Sequence, residues 1–206
     1  MKKSKRYTGF LIIVFSVFIN LNYFAQTKTN LEMIEGLVGK SAEVIKLDTS
    51  SNNYGKLVLK FVAANDYEIL QTKLISELQK NNFKLLNKKE TSNLPKLIYT
   101  LDNAKVYYKN IFKDGILGTY LVERESTLDG SYFFENNNKI GKVKKFNFTV
   151  LDTVMYDDVK KLENIAYQFS AADLPNEPFF SSLLEPAIAI STAAIAIYLF
   201  FSLRSN

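Results

Sequence analysis

Apolar and polar positions along the chain change period several times, and each change marks an element. Over 30–45, Leu31, Ile34, Leu37, Val38 and Ile45 recur near helical spacing. That predicts an amphipathic helix with Asn30 as candidate N-cap, weakened by Gly36 and Gly39. The polar stretch 48–55 (DTSSNNYG) reads as a loop. Residues 56–63 (KLVLKFVA) read as a strand. The pair Asn65 and Glu68 has the spacing of a capping box, opening a helix to about Asn81 with Leu70, Leu74 and Leu78 one turn apart and Ile75 beside them. A short strand over 83–87 completes a β-α-β opening.

Three long strand-like runs follow. In 96–109 the apolar parity set by Leu97, Tyr99 and Leu101 flips to Val106 and Tyr108, which predicts a bulge near Asp102 and Asn103. Lys113, Asp114 and Gly115 form a turn. The run 119–134 then places Tyr120, Val122, Leu128, Tyr132 and Phe134 on one face and Glu123, Glu125, Thr127 and Asp129 on the other, with Glu135 continuing that polar side. Asn136, Asn137 and Asn138 turn the chain again, and 140–151 points Phe146, Phe148 and Val150 inward. A short helix over 156–167, with Val159, Leu162 and Ile165 on its apolar side, closes the body. The fold class this predicts is α+β: a small antiparallel sheet with a β-α-β opening and helices on one face, one face of the sheet staying wet.

The two ends follow different rules. Lys2, Lys3, Lys5 and Arg6 precede the apolar run 10–19 (FLIIVFSVFI), about 15 Å as a helix and short of a bilayer core. This is the profile of a signal peptide over 1–25 with cleavage after Ala25; bulky Tyr23 leaves an uncleaved signal anchor as the alternative. Residues 187–203 (AIAISTAAIAIYLFFSL) carry no charge over 17 positions, so 186–203 is expected to be a transmembrane helix with Pro186 in its first turn and Arg204 beyond it. A buried core helix and a glycolipid-anchor signal around Ser170, Ala171 and Ala172 are the competing readings. The resulting layout is signal peptide 1–25, N-terminal helix and loop 26–55, periplasmic α+β domain 56–167, stalk 168–185 and membrane helix 186–203. Ala187, Ser191 and Ala194 share one face of that last helix, a spacing that allows close helix–helix contact with a membrane partner or a second copy.

Composition changes the picture in two ways. The formal charge is +5, but the four basic residues of the leader account for most of it. The remainder carries 22 basic and 21 acidic side chains, which is no footprint for nucleic acid. There is no Cys and no His, which removes cysteine nucleophiles, disulfides, His-based triads, the usual zinc sites and the cysteine-linked lipid of bacterial lipoproteins. No cofactor or metal is expected.

Few residues invite chemistry. Glu123 and Glu125 stand about 7 Å apart on one strand face, as glycosidase carboxylates do, and equally as a solvated face does. Arg124 falls on the otherwise apolar face, where it pairs with an inward acid or takes an anionic group. Tyr108, Tyr120 and Tyr132 offer amphipathic contact to a ligand or partner, or belong to the core. Gly115 and Gly118 lack the further glycines of a nucleotide loop. Asn147-Phe148-Thr149 and Asp152-Thr153-Val154 match short glycosylation signals.

The pattern over 65–83 (NDYEILQTKLISELQKNNF) followed by the meander, roughly 56–167, resembles small envelope-assembly accessory domains: the LptE-like lipoprotein of the lipopolysaccharide translocon, or the FlgO/CsgG-type domain. The missing lipobox cysteine and the added C-terminal span depart from both families. The resemblance implies a non-enzymatic protein of the bacterial envelope, and the C-terminal span adds the membrane anchor. Its domain would lie in the periplasm and assist assembly or transport of an envelope component. Its partners would be the lipid bilayer and an envelope protein, with a homo-oligomer left open by the small-residue face of the last helix. A carboxylate-dependent hydrolase and a structural or sensory oligomer are the alternatives.

Overall fold

The computed structural model describes residues 27–49, 56–86, 94–115, 118–137, 139–176 and 181–204. The expected signal peptide 1–25, most of the expected loop 48–55, Asn87 at the end of the expected second strand, Asn138 of the second turn and residues 177–180 of the expected stalk lie outside them.

Helix α1, Asn30–Thr49, buries Ile34, Leu37, Val38, Ala42 and Ile45, the stripe its spacing predicts. Its start differs from expectation. Thr29 is the cap: its Oγ1 accepts from the Glu32 amide at 3.2 Å, while Glu32 Oε2 accepts from the Thr29 amide at 2.7 Å. This reciprocal pair is a capping box one residue earlier than Asn30, and it leaves the Asn30 side chain free for another task.

Strand β1, Lys56–Val62, leads through a 3-10 turn, Asn65–Tyr67, into α2, Glu68–Lys80. The expected Asn65 cap is not formed. The turn already begins at Asn65, so the cap position passes to Ala64, which has no side-chain acceptor. Leu70, Leu74 and Leu78 of α2 are fully buried against α1 and the sheet. The chain returns as β2, Lys84–Leu85, after a left-handed Asn82 with φ of 69°.

The remaining strands are β3, Lys96–Lys113; β4, Tyr120–Asn136; β5, Lys139–Ile140; and β6, Lys144–Met155. The order is β2-β1-β3-β4-β5, with β6 also on β4. The β3–β4–β6 meander is antiparallel, but β1 pairs parallel with both β2 and β3. The sheet is therefore mixed, where an antiparallel one was expected. The β1–β3 pairing is a long-range one that no local pattern announces. The predicted bulge appears as a register shift between Leu101 and Asn103, and a second shift falls between Tyr108 and Ile111.

Both helices cover one face. Along β4 the residues Val122, Arg124, Ser126, Leu128, Gly130 and Tyr132 alternate perfectly as buried positions, and Glu123, Glu125, Thr127 and Asp129 line the open face. At Gly130 a side chain has no room: a Cβ would stand 2.4 Å from the Thr100 carbonyl oxygen and 2.5 Å from Phe146 Cζ. The Phe146 ring thus lies across the glycine opposite it in the ladder.

After β6 the chain forms a 3-10 turn, Tyr156–Asp158, and the single helical turn α3, Val159–Leu162. The helix expected to reach Tyr167 stops there, because Glu163 is extended. Ile165 is consequently exposed and not part of an apolar face. Residues expected to begin a stalk instead pack on the body. In the turn Gln168–Ser170, Phe169 sits 5.3 Å edge-on from Tyr67, and Ser170 is fully buried.

Helix α4, Ser181–Arg204, runs 24 residues with Pro186 in its interior, five residues past its start. Its described side chains are exposed on all sides, Ile190 at 70 % and Phe201 at 64 % among them. Among the described residues no helix is long and apolar enough to cross a membrane. The described side chains of α4, 186–202, rise about 26 Å against a hydrocarbon core of ~30 Å. A helix stands where the span was expected, but these residues alone do not supply its length.

Candidate functional site

The centre of the molecule's chemistry is Arg124. A strand position facing the helices dictates burial, and the side chain is 0 % exposed. A buried guanidinium must have its charge and its donors met. The ladder sets Arg124 directly between Tyr108 on β3 and Asp152 on β6. Asp152 takes it in a two-pronged pair, Nε to Oδ1 at 2.8 Å and Nη2 to Oδ2 at 2.6 Å. Nη1 donates to the Lys28 carbonyl and to Asn30 Oδ1, each at 2.8 Å. Asn30 Nδ2 in turn donates to the Tyr108 hydroxyl and to the Ser170 carbonyl, both at 2.7 Å.

One buried cation therefore ties together three strands, the chain entering α1 and the chain leaving the body. Burial pushes the Tyr108 hydroxyl above its ordinary pKa, against the hydrogen bond from Asn30, which pulls it down. Tyr108 stays a neutral acceptor in this network.

Beside the clamp lies a cavity of about 530 Å³ lined by Lys105, Val106, Tyr107, Tyr108, Glu163 and the arm Ala171–Asp173. It opens because β1 is short. β1 pairs with β3 only over Lys96 to Thr100, so beyond that point β3 has no strand on that side among those described. The mixed lining of two tyrosines, a cation and two acids suits a polar, partly apolar ligand or a segment of a partner.

The other candidate residues are dispersed. Tyr120 sits at the far end of β4 with the Lys113 ammonium 5.3 Å from its ring centre. Tyr132 lies toward the opposite end, buried, its hydroxyl donating to Asp48, which also pairs with Lys144 at 2.6 Å. These residues border a smaller cavity of about 170 Å³. On α4, the Ser191 hydroxyl is spent on the Ala187 carbonyl at 2.7 Å, and Ala187 and Ala194 are exposed. The structure thus brings Arg124 and Tyr108 together and leaves Tyr120, Tyr132 and the α4 residues apart.

Glu123 and Glu125 stand on the open face and line neither cavity described above. Glu123 accepts from Asn110 at 2.7 Å, and Glu125 is paired with Lys109. Among the described residues, no group of three or more acidic side chains stands where it could hold a metal ion. Two residues to which the sequence pattern gives other roles, Asp152 and Asn30, complete the clamp. Asp152 shares the inward parity of Phe146, Phe148 and Val150, and Thr29-x-x-Glu32 is a capping box that frees Asn30; both signals are visible in the strand and helix patterns.

No family model matches the chain, and no curated protein matches it. Among solved structures it is similar to a minor lipoprotein from Acinetobacter baumannii, at 18 % identity over 61 % of this chain and 98 % of that one, with a TM-score of 0.33. It is likewise similar to rare lipoprotein B from Shewanella oneidensis, at 12 % identity over 68 % of this chain and 98 % of that one, again with a TM-score of 0.33. Likenesses this distant carry no function.

Proposed function

We propose that the chain is a non-enzymatic accessory or binding domain of the cell envelope, held at a membrane by α4 and facing away from the cytosol. The exposure of α4 carries the reading. Burying an exposed Ile or Phe side chain contributes about 1.5–3 kcal/mol, and α4 presents such side chains all round with no charge from 186 to 203. Water is a poor solvent for that surface. In the sequence Leu203 adds one more apolar position and Arg204 follows it, the residue order of a span that ends at a headgroup layer. The basic leader with its apolar run supports export of the body.

The binding surface in this reading is the cavity along the free side of β3, with Tyr107, Tyr108, Lys105, Glu163 and Asp173 as its contacts and Arg124 as the support behind it. Its partner is an envelope component with both polar and apolar groups.

The test is fractionation of the full chain. It should stay with membranes through alkaline carbonate, and a reporter fused near residue 120 should be active only outside the cytosol. Release by carbonate, or activity only inside, overturns the reading.

A further inference from the structure

The end of the sheet bearing the β3–β4 turn carries an apolar row on the open face. Phe112 is opposite Leu121 on β4, and Leu121 is opposite Met155 on β6. The row is partly exposed: Phe112 is 41 % exposed and Met155 42 %, with Leu121 between them half-buried. Directly behind it the same face turns polar at Glu123 and Thr153. On the other side of this end, Tyr120 carries the Lys113 ammonium against its ring. An aromatic hydroxyl with a nearby cation is the pairing found at headgroup level.

From these observations we propose that this end of the sheet rests on the bilayer that holds α4, with the row Phe112–Leu121–Met155 dipping into the lipid surface; the proposal rests on the membrane reading of α4.

Tether geometry selects this end over the other. The outgoing chain is fastened at Ser170, whose carbonyl is bound by Asn30, itself bound by Arg124. From Leu174, which still packs on the core, to Ser181 at the start of α4 the chain reaches at most about 25 Å. Leu121 is three residues from Arg124 along β4, about 10 Å. The opposite end also exposes an apolar side chain, Ile140 at 70 %, but Ile140 pairs with Glu135, eleven residues along β4 from Arg124 and about 36 Å away. A tether of this reach brings the Phe112 end, about 10 Å from the Arg124 level, to the membrane with far less extension than the Ile140 end, about 36 Å from it. Under such confinement a weak apolar contact is populated that would be lost in free solution.

The chain contains no Trp, so one introduced indole reports its own surroundings without background. Three variants of the full chain, Phe112→Trp, Ile140→Trp and Tyr198→Trp, are reconstituted in phosphatidylcholine vesicles with and without bromine on the upper acyl chain. Emission from the position 198 variant should lose intensity to bromine, as α4 in lipid requires. The position 112 variant should be blue-shifted and also lose intensity, and the position 140 variant should do neither. Met155→Trp reports the same row should the change at 112 disturb the nearby turn. Quenching at 198 with water-like emission at both 112 and 155 overturns the contact and leaves the tether standing. Blue shift at 112 without quenching means that protein covers the row, which overturns a lipid contact in favour of a protein one. Quenching at neither 112 nor 198 overturns both.

Discussion

Removing the carboxylate of Asp152 is the sharpest test of the clamp. Arg124 is wholly buried, and Asp152 supplies the acceptors for both Nε and Nη2. Asp152→Ala leaves the guanidinium inside the protein with only the Lys28 carbonyl and Asn30 Oδ1, both on Nη1. Stranding one partner of a buried pair costs about 3–5 kcal/mol; the Asp152 side chain is 33 % exposed, so water can reach the vacated side and the lower end, ~3 kcal/mol, applies. Arg124→Met is milder, because the carboxylate left behind can hydrate; what is lost is the hydrogen bonding to Lys28 and Asn30, about 1–2 kcal/mol. The double change Arg124→Met with Asp152→Leu removes both charges and should be less damaging than Asp152→Ala alone. Urea unfolding of the detergent-solubilised chain, followed by far-ultraviolet circular dichroism, reads the difference. With a slope of about 2 kcal/mol per molar, Asp152→Ala should lower the midpoint by roughly 1.5 M. A fall under about 0.3 M, or a double variant as weak as the two single losses added together, would refute the reasoning.

Two further outcomes follow from the packing and the ion pairs. Gly130→Ala forces a methyl against backbone and the Phe146 ring, and should cost about 1–3 kcal/mol by urea midpoint; a neutral result would mean that both the Thr100 backbone and the Phe146 ring are free to move aside. Acid should also destabilise the fold through three carboxyls held below their ordinary pKa. The Thr29 amide and hydroxyl lower Glu32, and hydrogen bonds from Lys80 and Lys73 lower Glu77. Asp48 is raised by burial but more than compensated by Lys144 and Tyr132. Their contribution is complete above the ordinary values, 4.5 for the glutamates and 3.8 for Asp48, and is lost as pH falls through the lower folded ones. The urea midpoint should therefore be level above about pH 5 and drop below it, less steeply in Asp48→Asn.

Strand faces were the most legible feature, because period-two burial leaves a direct trace: β4 alternates without a break from Val122 to Tyr132, and the parity flip at Asp102 and Asn103 is a real register shift. Arg124 was legible as an anomaly on that trace, and Asp152 sits on the matching parity of β6. Asn30 was visible only as a polar residue at a helix start. Its bonds to Arg124, Tyr108 and Ser170 bridge positions up to 140 apart, which no local rule reports. The parallel β1–β3 pairing was hidden for the same reason. The body's C-terminal boundary was misplaced because Phe169 and Ser170 lack a periodic neighbourhood, and their burial comes from Tyr67 and Asn30.

Those long-range bonds also explain why a charge is kept inside so small a body. Leu or Met at 124 would satisfy the apolar face, but neither would hold the Lys28 carbonyl or orient Asn30 to hold the Ser170 carbonyl. Both flanking segments lack strand partners, and α3, at four residues, is too short to fasten the chain by packing. Directional bonds from one fixed guanidinium do what apolar contact there cannot: they fasten the entering and leaving chain to the same three strands. A pull along the tether to α4 that frees Leu174 and Ala172 then meets Ser170, Asn30 and Arg124 before it reaches β4. The arm Ala171–Asp173, which forms one wall of the large cavity, is held on its body side by the same bonds. Loosening the clamp should therefore open the cavity and weaken the tether point together, and a variant that changes one without the other would show that the two are not coupled.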